Sequence, residues 1–435
     1  MIDERRLGRV RLAPGITRGA MRTFYFAALF STCLMAFMSF AQPFVLGEVL
    51  HVPRAEQGSV TGTLAVYGEL VIIACIGVAG AASDRVGRRA VYATGFLVMG
   101  VAYLAYPFAS AIGSLVALRA LFAVGAACVS SMLATVVADY AAAPDRGKAT
   151  GTMGVMNGVG ILVALFGLTR LPELLQRRGL TALAAGRATY AVAAGLCILT
   201  ALVLARGLAP RVVSKAARPP WRTLAREGIV AARNPAVLLA YGAAFVSRGD
   251  LAVVGTFLTL WVSHDAAERG MDATHALATA GMIAGISQTA AFVWAPVIGV
   301  LADRMNRVAT LAVALALATA GYGSMYFVTV PTGGKMIAGV CLIGVGEISA
   351  LIASQVLIAE HAPASARGSV IGAFGLCGAV GILVASKVGG HLFDAWARSG
   401  PFVLMGALNF VVLVWALVVL RAREPATAAA VARGA

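Results

Sequence analysis

Residues 80–89 read Gly-Ala-Ala-Ser-Asp-Arg-Val-Gly-Arg-Arg and lie between two long apolar runs. So basic a stretch, flanked by segments of bilayer-crossing length, reads as a short cytoplasmic turn joining two membrane helices. Gly80 lets a helix end approach its neighbour closely, because it has no side chain. Asp84 can face the exposed N–H groups at the start of another helix. Arg85, Arg88 and Arg89 hold the turn on the cytoplasmic side. A second copy stands 219 positions later, at residues 299–307: Gly-Val-Leu-Ala-Asp-Arg-Met-Asn-Arg. Gly299, Asp303, Arg304 and Arg307 keep the spacing, and Asn306 replaces Gly87. Two copies so far apart in 435 residues imply two homologous halves.

Composition agrees with that reading. Hydrophobic residues make up 60% and charged residues 12%, against about 45–50% and 25% in soluble domains. The net charge of +16 would suggest nucleic acid in a soluble protein. Here the Lys and Arg residues concentrate in alternate loops, as the positive-inside rule requires, so no nucleic-acid partner is expected. The six cysteines, Cys33, Cys75, Cys128, Cys197, Cys341 and Cys377, all fall in apolar runs and read as small buried hydrophobes. The five histidines show no metal-ligand spacing. No metal, cofactor or nucleotide loop is expected, and no catalytic set of an enzyme is present.

The apolar runs place twelve helices at about 23–46, 58–82, 90–109, 112–138, 149–168 and 189–205, then 236–262, 277–301, 308–328, 336–359, 369–391 and 401–420. Residues 1–22 form a basic cytoplasmic tail with no cleaved signal peptide expected. Residues 206–235 carry seven Lys or Arg and the Pro219-Pro220 pair. From Trp221, with Leu224, Ala225, Gly228 and Ile229 on one face, they read as an amphipathic linker helix. Residues 421–435 form a short, Ala-rich cytoplasmic tail, expected to be disordered. By this topology about two dozen Lys and Arg lie inside and about eight outside. The fold expected is an all-α membrane protein with twelve transmembrane helices in two pseudo-symmetric six-helix bundles, 23–205 and 236–420.

The duplication reaches beyond the turn. Asp139 precedes Arg146-Gly147 by seven residues, and Glu360 precedes Arg367-Gly368 by seven, at an offset of 221. Residues 159–164 and 380–385 both read Val-Gly-Ile-Leu-Val-Ala, again 221 apart. With its doubled Gly-x-x-x-Asp-Arg turn, the whole chain resembles the major facilitator superfamily of secondary transporters. Arg119 and Gly125 in helix 4 match a family pattern in which Ala123 here replaces a Gly. Helix 5 has Gly154, Gly158 and Gly160 but lacks the Gly-Pro pair of the antiporter signature.

The resemblance implies that helices 1, 4, 7 and 10 line a central cavity. Ionisable residues within spans are costly and usually functional. Glu69, Asp250 and Glu347 fall near one level, roughly 20–22 Å from the cytoplasmic ends, and Arg119, Arg248 and Lys387 are the cations. These six are the candidates for proton coupling or substrate binding. Glu69 with Arg119, and Glu347 or Asp250 with Lys387, are possible ion pairs. A carboxyl that loses water on burial favours its neutral form and can carry a proton through the cycle. The resemblance further implies a cytoplasmic gate. In it Asp84 meets the start of helix 11 and Asp303 the start of helix 5. Asp139 with Arg146, and Glu360 with Arg367, complete the two clusters.

The expected function is secondary active transport of a small organic solute across the inner membrane. The partners expected are that solute, protons and membrane lipid; the expected form is a monomer with both termini in the cytoplasm. Proton-coupled efflux is favoured. Uptake of an organic anion is the alternative, and a non-transporting sensor or assembly factor on the same scaffold is the alternative of another class.

Overall fold

The computed structural model describes residues 6–209, 221–363 and 366–434. Among them, twelve helices have the length and composition to cross a membrane, so the chain is an all-α, multi-pass membrane protein. Helices 1 to 6 are Arg18–Phe40, Gln57–Val86, Arg88–Ala105, Ile112–Tyr140, Arg146–Phe166 and Ala182–Gly207. A linker helix, Trp221–Ala231, precedes helix 7. Helix 7 runs over Pro235–Val253, passes through a π-helical turn at Val254–Leu258 and continues over Thr259–Glu268. Helices 8 to 12 are Ala273–Arg304, Arg307–Ser324, Gly334–His361, Arg367–Ala395 and Gly400–Gly434.

Hydropathy located every span but placed several ends short, because helices run on through polar residues that cap them. Arg18 and Arg22, assigned to the N-terminal tail, lie in the first turns of helix 1, where the Thr17 hydroxyl accepts from the Ala20 N–H at 3.1 Å. Helix 6 starts at Ala182 behind a Thr181 cap, not near 189. The last helix continues to Gly434 where a disordered tail was expected; alanine-rich sequence has high helix propensity. The linker is helical over Trp221–Ala231, while 210–220 lie outside the described residues. Gly228 sits against Ser369 and Ala373 of helix 11, and Ile229, placed on the same face by the sequence, is 73% exposed.

Two compact units form. The first comprises described residues within Met1–Ala216 and Ser263–Gly285, the second those within Ala217–Val262 and Ile286–Ala435. The tips of helices 7 and 8 thus join the unit built from helices 1 to 6. Specific contacts hold them there. His264 Nε2 bonds Gln57 Oε1 at 2.8 Å, Gly281 lies against Thr169 and the Leu165 carbonyl, and the Thr274 hydroxyl bonds Gln176.

The repeated hexapeptide has a packing reason. Gly160 of helix 5 meets the Leu29 carbonyl of helix 1, and Gly381 of helix 11 meets the Phe245 carbonyl of helix 7. At both places a β-carbon would overlap a backbone oxygen. Glycine is therefore required for these close helix crossings.

Ahead of helix 1, strands β1 (Arg6–Leu7) and β2 (Val10–Arg11) pair antiparallel. The segment then bridges from Leu12 to Ala141, beside the turn between helices 4 and 5.

Candidate functional site

The basic turn after helix 2 is built around Gly87, which ends one helix and starts the next at φ 100° and ψ 150°. That conformation suits a residue without a β-carbon. Asn306, its counterpart, solves the same break differently. Its φ is −57°, and its side chain caps helix 9 by accepting from the Val308 and Ala309 N–H groups.

In the first unit Arg88 is 3% exposed. Its Nη1 lies 2.6 Å from Asp84 Oδ1, and its Nε lies 3.0 Å from Asp139 Oδ2. In the second unit Arg307, its counterpart, reaches Glu360 Oε2 at 2.6 Å and Asp303 Oδ1 at 4.0 Å. The doubled motif therefore builds two equivalent triads, Asp84–Arg88–Asp139 and Asp303–Arg307–Glu360. This corrects the expected pairings. Asp139 pairs with Arg88 and not Arg146, and Glu360 pairs with Arg307 and not Arg367. The reason is geometric: the ends of helices 4 and 10 face the starts of helices 3 and 9. Arg85, Arg146, Arg304 and Arg367 are exposed at the same end, Arg89 is half-buried, Gly80 is buried and Gly299 is half-buried.

The triads differ in burial, and this sets an expected outcome. Removing Arg88 leaves two carboxylates around a buried hole, a change that costs about 3–5 kcal/mol. Asp303 and Glu360 side chains are 83% and 52% exposed, so Arg307 is worth less than about 1 kcal/mol. Thermal unfolding in detergent should show Arg88→Ala far below the parent and Arg307→Ala close to it. Equal losses would contradict the assignment.

The second unit holds a fully buried polar cluster. Asp250 of helix 7 and Asn409 of helix 12 are 0% exposed, and Glu347 of helix 10 is 3% exposed. The Asn409 amide donates to both Asp250 oxygens, at 2.9 and 3.1 Å, and to the Met405 carbonyl at 2.9 Å. Glu347 lies within electrostatic reach of Asp250, and Tyr322 of helix 9 and Gln288 of helix 8 face it. Three oxygens of the cluster, Glu347 Oε2, Asn409 Oδ1 and the Tyr322 hydroxyl, are buried with no hydrogen-bond partner. The Tyr322 hydroxyl and the Gln288 amide are the donors that face Glu347, and among the described residues no ion pair neutralises Asp250 or Glu347.

The remaining candidates lie elsewhere. Arg248 and Lys387 are exposed, and the Arg248 stem packs beside Gly378. In the first unit Glu69 is half-buried. Arg119 donates to Ser39 at 3.0 Å and stands 5.8 Å from the Phe122 ring centroid. Arg119 Nη1 is buried without a hydrogen-bond partner, close to the Tyr106 hydroxyl. The structure therefore joins Asp250 to Glu347 and leaves the other four candidates outside that cluster.

At the end opposite the basic turns, Asp272 caps helix 8. Burial opposes its ionisation, but the His275 N–H and the Thr274 hydroxyl outweigh this and hold its carboxyl below the ordinary range. Sequence reasoning missed this cap, Asn409, Tyr322 and the Gln57–His264 bond. Asn409 could have been found, as the one Asn within the apolar run of helix 12.

Comparison with known proteins fits this geometry. Magnetosome protein MamH of Paramagnetospirillum magneticum is 26% identical over 414 residues, 90% of this chain and 91% of that protein. Magnetosome protein MamZ of Magnetospirillum gryphiswaldense is 27% identical over 395 residues, and the match spans only 58% of its length. Among solved structures, the nucleoside transporter NupG superposes with a TM-score of 0.73 at 12% identity, over 92% of this chain and 99% of that one. A POT family transporter in complex with 5-aminolevulinic acid gives 0.67 at 14% identity, over 92% and 95%. These likenesses establish the fold. A family model described as Major Facilitator Superfamily matches residues 24–386, and the chain belongs to that family of membrane transporters.

Proposed function

We propose that this protein is a secondary active transporter that moves a small organic solute by alternating access, with a proton carried on the Asp250–Glu347 pair. The observation that supports this most is the buried acidic cluster in the second unit: two buried carboxyls share a site with an amide and a phenol, with no cation paired to them among the described residues. An ionised pair there carries two negative charges without a cation, which is costly, whereas a proton on either carboxyl removes one of those charges. Binding and release of that proton give the cluster two states, which is what coupling requires.

The basic triads serve as the cytoplasmic gate, with Asp84 and Asp303 engaging the opposite half in one state and releasing it in the other. The bundles 23–205 and 236–420 rock about the solute site. The basic end faces the cytoplasm, which puts both termini there, in the inner membrane, with the chain acting as a monomer. Efflux is the favoured direction. The unpartnered Nη1 of Arg119 favours a second reading, uptake of an organic anion. The magnetosome names of two relatives favour a magnetosome location as the alternative to the general inner membrane, and a scaffold role there as the alternative to transport.

Purified protein in liposomes, given pools of labelled organic solutes under an imposed pH gradient, tests the reading. Accumulation that follows the sign of the gradient is expected. A protein that moves no solute in any pool, in either direction, would contradict transport and leave the scaffold role.

A further inference from the structure

At the basic end of the first unit, the segment before helix 1 folds back on the bundle. It turns at Gly8, with φ 57°. The Ala142 N–H donates to the Arg11 carbonyl at 3.0 Å, and the Ala13 N–H donates to the Tyr140 carbonyl at 2.9 Å. Asp145, 2% exposed, accepts from the Arg11 N–H at 3.1 Å, from Arg11 Nε at 2.8 Å and from Lys148 Nζ at 2.8 Å. Those two cations more than neutralise it. Together the hairpin and the turn carry Arg6, Arg9, Arg11, Arg146 and Lys148 against Asp145 alone, five positive charges and one negative. Arg9 makes no ion pair or hydrogen bond among the described residues.

Under this hairpin lies a cavity of about 470 Å³. Leu7, Val10 and Tyr25 form an apolar wall, and Arg9, Lys148 and Thr152 form a cationic and hydroxyl rim. Tyr25 and Thr152 stand in the first two turns of helices 1 and 5, next to the basic end of those spans.

We propose that this cavity binds the headgroup of an anionic phospholipid, with the phosphate between Arg9 and Lys148 and the glycerol against Leu7, Val10 and Tyr25. Basic residues beside a bilayer draw anionic headgroups. A guanidinium without a protein partner is free to make a bidentate phosphate contact. The apolar wall distinguishes a lipid from a fully hydrated anion.

The test uses the full-length protein in a neutral detergent and reads its thermal unfolding midpoint. Phosphatidylglycerol should raise the midpoint by roughly 3 °C or more over phosphatidylcholine, and the rise should shrink with salt. Arg9→Gln leaves the Asp145 pairs intact and should remove at least half of the rise without moving the lipid-free midpoint. Lys335→Gln, an equal loss of charge at the start of helix 10 in the second unit, should leave the rise unchanged. An undiminished rise in Arg9→Gln, or an equal loss in Lys335→Gln, would overturn the site. A rise of the same size with soluble glycerol phosphate would overturn the lipid as occupant and identify a free phosphate ligand. None of these readings depends on transport, so the lipid site and the transport proposal fail separately.

Discussion

Gly381→Val is expected to lower the yield of folded protein about a hundredfold. The β-carbon would fall on the Phe245 carbonyl oxygen of helix 7. A carbonyl held in a helix cannot rotate aside as a side chain does, so helices 7 and 11 must separate along their length. Overpacking of this kind costs about 3 kcal/mol or more, a large share of any domain's stability. Gly160→Val should do the same through Leu29 in the first unit. Gly375, on the same helix 11, has no atom within 4 Å of its β-carbon position, so Gly375→Val should fold like the parent. The measurement is the monodisperse fraction on size exclusion after solubilisation. Equal yields for Gly375→Val and Gly381→Val would contradict the crossing.

The second large effect is expected at the buried pair. Glu347→Gln and Asp250→Asn keep the size of each side chain and remove its capacity to cycle a proton. Accumulation driven by a pH gradient should fall about a hundredfold, the scale of a coupling energy near 3 kcal/mol. Exchange of solute at equal pH on both sides should stay within about threefold, because each amide keeps the carboxyl's shape and one acceptor oxygen, and the amide introduced by Asp250→Asn can donate to the unpartnered Asn409 Oδ1. A loss of both activities together would mean that the pair is structural. Retention of both would mean that the proton travels elsewhere.

Much of the fold was written in the chain because its signals are long and doubled. Apolar runs of spanning length mark helices regardless of context, and the 219- and 221-residue offsets tie one half to the other. The shared offset of Gly160 and Gly381 fell on a close crossing in each unit, though the sequence did not show the cause. The site was less legible. Asp250 and Glu347 stood out as charges in apolar runs, but the sequence does not state which way a helix is turned. Arg248 and Asp250 are two residues apart, and one is exposed while the other is buried. That rotation determines which charges meet, so the pairing of carboxylates with Lys387 was not realised. The gate pairings failed for a related reason. Asp139 and Arg146 are near in sequence across a turn, while Arg88 is nearer in space. The N-terminal hairpin left almost no trace, since two two-residue strands rich in arginine look like a solvated tail.

Proton movement in liposomes tests the coupling most directly. A pH-sensitive dye is enclosed with the protein, a transported solute is added outside, and the parent is compared with the Asp250→Asn/Glu347→Gln double variant. The expected result is a solute-dependent pH change in the parent, whose sign gives exchange or symport, and no pH change in the double variant. Solute movement without any pH change in the parent, or an undiminished pH change in the double variant, would contradict proton coupling through Asp250 and Glu347.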